Sequence, residues 1–107
     1  MPTTHKVLGQ SSPNATTETT LYTAPAQAVV STILVCNRSS TPTTFRISAS
    51  VAGAATSNKD YIYYDLTIGG NDTFAATMGF TLANTDVVRV YAGAATLSFS
   101  LFGMEIT

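Results

Sequence analysis

The stretch TTFRISASV, residues 43–51, carries the clearest structural signal in the chain. Apolar side chains occupy every second position from Phe45 to Val51, and polar side chains occupy the positions between them. A period of two residues is that of a β-strand with one face in a core and the other in solvent. The stretch therefore predicts a half-buried strand.

Similar strand patterns, separated by turn residues, recur along the rest of the chain. Residues 28–36 are apolar on both faces, which is typical of a central strand with a core on one side and a partner or a covering loop on the other. Residues 60–68 alternate, and the apolar positions from Ile62 to Ile68 are predicted to face the core. No segment keeps an apolar period of 3.6 residues. We predict an all-β, antiparallel, jelly-roll-like β-sandwich of seven to eight short strands with little or no helix.

The beginning of the chain differs from the rest in composition. Residues 1–17 are polar and rich in Thr and Ser, and only residues 5–8 are expected to pair as a short strand. We therefore predict an N-terminal arm over residues 1–17 and a single β-sandwich domain over residues 18–107. Such an arm would become ordered on a neighbouring molecule.

The last predicted strand, residues 96–106, changes its apolar parity part-way along. Its first half places the apolar residues Leu97, Phe99 and Leu101 on one face. Its second half places Phe102, Met104 and Ile106 on the other face. Two interpretations remain open: a β-bulge near Gly103, or a terminal strand with apolar contacts on both faces, one of them at an interface.

Charge is scarce throughout the sequence. Charged residues make up 10% of the chain, against about 25% in an average protein, and the net charge is −1. The five basic residues are scattered singly, so we predict no nucleic-acid partner. No apolar run approaches the ~20 residues of a spanning helix, and no apolar signal-peptide core is present, so we expect no membrane partner and synthesis in the cytoplasm. A surface poor in charge suits a protein packed against others.

The residue types that carry chemistry are few and do not form a known catalytic pattern. His5 is the one histidine and Cys36 the one cysteine, so an intrachain disulfide is excluded and Cys36 is expected to be a small buried hydrophobe. The six carboxylates are isolated from one another along the sequence. We therefore predict no catalytic, metal or cofactor site, and no enzyme activity.

Tyrosines form the best aromatic cluster of the sequence. Tyr61, Tyr63 and Tyr91 fall on the polar side of their predicted strands. They could provide a stacking platform for a sugar. We favour the alternative, in which they pack across neighbouring strands and at a subunit interface.

Four segments together resemble a family of small virion proteins of tailed bacteriophages, including phages of cyanobacteria and marine bacteria. They are KVLGQ (6–10), YYDLTIGGNDTF (63–74), GFTLANTDVVRVYA (79–92) and LSFSLFGMEIT (97–107). The resemblance covers nearly the whole chain and rests on turn and strand patterns. It implies a β-sandwich built into the virus particle.

The resemblance leaves two locations open, and we favour a capsid decoration, or cement, protein that stabilises the head by bridging capsomers. The alternative is a tail, baseplate or fibre component that contributes to host attachment. The expected partners are the major capsid protein or other virion proteins, and a homotrimer is the expected oligomer. The candidate interface residues are His5, Lys6, Val7, Leu8, Tyr61, Tyr63, Phe102, Met104 and Ile106.

Overall fold

The computed structural model describes residues 3–106, apart from the side chain of Met78. Eight strands are present: β1 (Thr3–Ser11), β2 (Thr19–Thr23), β3 (Gln27–Asn37), β4 (Thr43–Ser50), β5 (Tyr61–Ile68), β6 (Thr73–Leu82), β7 (Val87–Ala92) and β8 (Leu97–Ile106). The helical segments are two short 3-10 turns between β4 and β5, Val51–Gly53 and Asn58–Asp60. Among the described residues, therefore, no helix has the length or the apolar character to cross a membrane.

The strands form two four-stranded antiparallel sheets. The first sheet has the order β1-β8-β3-β6 and the second has the order β2-β7-β4-β5. Consecutive strands alternate between the two sheets, except for β4 and β5, which pair with each other in the second sheet. With the last strand lying beside the first, this is the jelly-roll arrangement. The prediction of an all-β antiparallel sandwich with little helix is confirmed.

The core lies between the two sheets and contains the alternating apolar residues of both. Phe45 of β4 is fully buried, and its ring centroid lies 5.3 Å from that of Phe74 on β6 and 6.3 Å from that of Phe99 on β8. Tilted and edge-on contacts of this kind add to the free energy gained from burial alone. The predicted strand over residues 43–51 is confirmed as β4, but it ends at Ser50, and Val51 is 74% exposed in the following turn.

The first strand corrects the prediction of a separate arm. β1 pairs with β8 from Thr3, opposite Ile106, to Ser11, opposite Phe99, so residues 3–11 are part of the sandwich. A bulge in β1 turns Leu8 into the core, where 9% of it remains exposed. An edge strand needs little apolar sequence of its own because one neighbouring strand supplies its hydrogen bonds. Met1 and Pro2, which the arm prediction included, and Thr107, assigned to the domain, lie outside the described residues.

β5 also differs from its prediction, because its pairing with β4 slips twice. The register shifts between Phe45 and Ile47 and again between Ile47 and Ser48, and Asp65 adopts a φ of 52°. An extra residue reverses the side of the sheet on which the following side chains lie. Ile62 and Tyr64 were expected in the core but are 37% and 58% exposed, whereas Leu66 and Ile68 face the core as expected.

Two glycines provide a stability test of the first sheet. A side-chain carbon on Gly103 would overlap the Val29 carbonyl oxygen, whereas one on Gly79 would meet nothing within 4 Å. We predict that Gly103→Ala lowers the free energy of unfolding by about 1–3 kcal/mol because the backbone of β3 must move. Gly79→Ala should leave it unchanged or raise it by up to about 1 kcal/mol. Urea unfolding measures both, and equal destabilisation would contradict the close approach of β3 to Gly103.

Candidate interaction surface

The outward side of β3, β6 and β8, named here the outer sheet face, consists of uncharged residues. Buried and more exposed residues alternate along β3 and β8, and the β3–β8 register aligns the outward positions of the two strands. Its described members are Val29, Ser31, Thr32, Leu34 and Cys36 of β3, Thr73, Ala75, Thr77, Gly79 and Thr81 of β6, and Ser98, Ser100, Phe102, Met104 and Ile106 of β8. None of these residues is Asp, Glu, Lys or Arg. Cys36 was expected to be buried, but it lies on this face and is half-buried.

A groove of about 560 Å³ opens where β1, β8 and β3 lie side by side on this face. It is lined by His5, Lys6, Val7, Val29, Ser31, Phe102, Gly103 and Met104. The lining is mainly apolar. Five of the nine predicted interface residues therefore come together at one place: His5, Lys6, Val7, Phe102 and Met104.

Bulges in the two neighbours of β8 shape the groove. β3 carries one extra residue at Ser31, and β1 carries one at Leu8, both close to Phe102 and Gly103. The Ser31 hydroxyl donates a hydrogen bond of 3.2 Å to the Phe102 carbonyl. β8 itself keeps an unbroken alternation of buried and half-buried residues up to Leu101, and Glu105 is again buried. The parity change in its sequence therefore reflects apolar residues on both faces, and the bulges lie in its neighbours.

The remaining predicted residues lie elsewhere. Leu8 is in the core, so it is unavailable for an interface. Ile106 belongs to the outer sheet face, opposite Thr3 and Gln27, but lies beyond the groove. Tyr61 and Tyr63 are on the second sheet.

The tyrosines of the second sheet do not form one platform. Tyr63 points inward, with its ring centroid 5.2 Å from that of Phe74, and it packs against the core. Tyr61 contacts Tyr64 edge-on at 4.8 Å. Tyr91 lies against the Arg46 guanidinium, 4.3 Å from the ring centroid. The sheet slip at β5 therefore separates residues that the sequence placed on one side.

The outward side of the second sheet is charged, and its charged groups already have partners. The Arg46 guanidinium lies 4.3 Å from the ring centroids of both Tyr64 and Tyr91, and it donates to the Asp65 carboxylate at 2.6 and 3.3 Å. Arg89 donates to the carbonyls of Gly53 and Ala54 in the β4–β5 connection, at 3.2 and 2.8 Å. The two Arg89 hydrogen bonds hold the β4–β5 connection against the second sheet. The outer sheet face has no comparable cover among the described residues.

A partly buried ionic contact, between Lys6 and Glu105, lies at the groove, which Lys6 lines. The Tyr22 hydroxyl donates a 2.6 Å hydrogen bond to the Glu105 carboxylate, and the Lys6 ammonium lies 3.1 Å from the other carboxylate oxygen. The hydrogen bonds from Tyr22 and Lys6 lower the pKa of Glu105 from its ordinary value, although burial opposes this effect. Burial, together with Glu105, raises the pKa of Tyr22 well above its ordinary value, so the phenol stays protonated. The contact ties β2 of the second sheet to β1 and β8 of the first.

Sequence reasoning missed several lining residues. Val29 could have been found, because the apolar run over residues 28–36 already indicated two buried or covered faces. Ser31 and Gly103 gave no such signal, since their positions depend on the bulge in β3 and the close approach of two backbones.

Searches against protein-family models, curated proteins and solved structures gave no match for this chain. The resemblance to phage virion proteins therefore rests on the segments quoted for it and stays a prediction. Within residues 3–106, no three side chains of His, Cys, Asp or Glu lie together where they could hold a metal ion. The absence of enzyme activity also stays a prediction.

The Glu105 contact predicts a pH-dependent contribution to stability. Because the pKa of Glu105 is lower in the folded protein than in the unfolded chain, its contribution to stability is complete above the unfolded value of 4.5. It is lost as the pH falls through the lower, folded value. We predict that Glu105→Gln lowers the melting temperature at pH 7 and that the difference from wild type shrinks below the unfolded pKa. Melting curves recorded from about pH 2 to about pH 7, which spans the titration of carboxyl groups, measure this difference.

Glu18→Gln is the matched control, because Glu18 is exposed ahead of β2. It should leave the melting temperature nearly unchanged at every pH. A Glu105→Gln variant as stable as wild type at pH 7 would show that the contact contributes nothing to the fold.

Proposed function

We propose that this chain is a structural protein of a bacteriophage virion, a capsid decoration protein that bridges capsomers and binds the major capsid protein through the outer sheet face. The observation that carries the proposal is the absence of charge from the described outward residues of β3, β6 and β8. The resemblance of the sequence to small phage virion proteins supports the same function. Jelly-roll sandwiches serve many functions, so the fold alone does not choose among them.

The composition of the outer sheet face suits a protein interface. Interface centres are enriched in aromatic residues and Met and depleted in Lys, Glu and Asp. Here Phe102 and Met104 line the groove, and Ser and Thr surround them. The three strands of this face and β1 beside them make four strands. Spaced about 4.8 Å apart and about 30 Å long, they present roughly 600 Å². That is somewhat below the ~800 Å² that each partner buries in a standard interface.

Many copies of such a protein would stabilise a capsid even if each copy binds weakly. A contact of this size gives moderate affinity for one copy, because association costs offset much of the burial. A decoration protein that touches two capsomers adds its contact energy to each boundary that it bridges. Repeated over a capsid, such contacts raise the cost of separating neighbouring capsomers.

A charge placed on the outer sheet face tests the proposal. Ser100 lies on β8, one of the two central strands of the first sheet, opposite Gln10 on β1 and Leu34 on β3. We predict that Ser100→Glu weakens binding to undecorated capsids at least tenfold, because the carboxylate would be buried without a partner. Thr67→Glu is the matched control, since Thr67 is an exposed hydroxyl residue on β5 of the other sheet, and it should bind like wild type. Co-sedimentation with capsids, together with melting curves of both variants, measures this.

Equal binding by both variants would overturn the assignment of the outer sheet face. Saturable binding to host cells, with none to capsids, would favour the tail location. Deletion of residues 1–12 would not be a clean test, because it would remove β1 from the sheet and Leu8 from the core.

A further inference from the structure

The two halves of β1 are held to the sandwich in different ways. The second half begins with Leu8, whose side chain lies in the core. A side-chain carbon on Gly9 would overlap the Leu21 carbonyl oxygen, so the backbones of β1 and β2 approach each other closely there. Just beyond the end of the strand, the Arg38 guanidinium donates a 2.8 Å hydrogen bond to the Ser12 hydroxyl. Packing and side-chain contacts therefore fix the second half in place.

The first half of β1, residues 3–7 and named here the strap, lacks this support. All of its residues are exposed, and none belongs to the core. Its main chain pairs with β8, from Thr3 opposite Ile106 to Val7 opposite Phe102, and β8 is the one described strand that pairs with it. Burial of apolar surface therefore contributes little to holding the strap against the sheet.

A bulge lies between the two halves. The register of β1 against β8 shifts between Val7 and Gly9, and Leu8 between them has no partner residue on β8. A bulge interrupts the ladder of hydrogen bonds and bends the strand that carries it. The strap can therefore move away from β8 while Leu8 stays in the core, and the bulge is the hinge of that movement.

One side-chain contact fastens the strap to the sandwich. The Lys6 ammonium lies 3.1 Å from one carboxylate oxygen of Glu105, and among the described residues this is the strap's only salt bridge or side-chain hydrogen bond. The other carboxylate oxygen accepts the hydrogen bond from Tyr22 on β2, which holds Glu105 in place whether or not the strap is bound. An ion pair with a half-exposed ammonium contributes little free energy, so it can break and re-form readily.

We propose that the strap opens from β8 as one unit, hinged at the bulge and latched by Lys6 and Glu105, while the rest of the sandwich stays folded. Segments with few buried apolar contacts are the ones that open locally in native proteins. Opening removes one wall of the groove, because His5, Lys6 and Val7 line it. A molecule bound in the groove therefore favours the closed strap. The opening does not depend on the proposed function.

Hydrogen exchange of single amides at low urea concentrations tests the opening. Strap amides that bond to β8 should exchange at least about tenfold faster than those in the second half of β1. Their rates should hardly change with urea, because a local opening exposes little surface. Equal protection of both halves would overturn the proposal. Protection that rises gradually from Thr3 to Ser11 would indicate fraying of the chain end and would also overturn it.

Replacement of Lys6 tests the latch. Lys6→Ala should raise the exchange rates of the strap amides about two- to fivefold, because opening no longer breaks the ion pair. Lys6→Arg keeps the positive charge and should exchange like wild type. Lys59→Ala is the matched control, since it removes the salt bridge to Asp60 on the β4–β5 connection and should leave the strap unchanged. Wild-type exchange rates in Lys6→Ala would overturn the latch.

Two cross-strand disulfides, made separately in a Cys36→Ser background, test the hinge. His5→Cys with Met104→Cys joins the strap to β8, and Gln10→Cys with Ser100→Cys joins the second half of β1 to β8. The residues of each pair lie opposite each other, with Cα atoms about 4.5–5.5 Å apart, within disulfide range. Oxidation of the first pair should slow exchange in the strap at least about tenfold, and oxidation of the second should leave it unchanged. Equal slowing by both disulfides, or by neither, would overturn the hinged opening.

Discussion

The pairing of β8 with β1 on one side and β3 on the other is the contact on which the rest of this structure depends. It brings the end of the chain between its beginning and its middle, and so closes the jelly roll. Leu97, Phe99 and Leu101 of β8 enter the core, while Phe102 and Met104 form the groove on the opposite side. One strand therefore builds both the interior and the proposed binding surface.

The two outer surfaces of the sandwich differ in a way that bears on function. On the second sheet, Arg46 and Arg89 hold aromatic rings, a carboxylate and the β4–β5 connection. Those charged groups therefore already bind partners within the same chain. Among the described residues, the outer sheet face has neither charges nor a covering connection. A water-exposed surface of this kind gains most from burial against another protein.

Register explains where sequence reasoning was right and where it was wrong. Alternation correctly predicted β4, because a period of two residues is a local property. It failed at Tyr63 because a slip between β4 and β5 turned that ring into the core. Leu8, predicted as an interface residue, lies in the core because a bulge in β1 directs it inward. In both cases one extra residue reversed the side on which a side chain lies.

The fold class, the poverty of charge and the apolar character of both faces of β3 and β8 can be read from the amino-acid sequence. These follow from composition and short-range alternation. The folded structure was needed to show that residues 3–11 join the first sheet, that Val7 lies beside Phe102, and that the groove forms between β1 and β3. Bulges and edge positions depend on pairing between residues far apart in the chain. Such pairing produces no periodic pattern in the sequence of either segment alone.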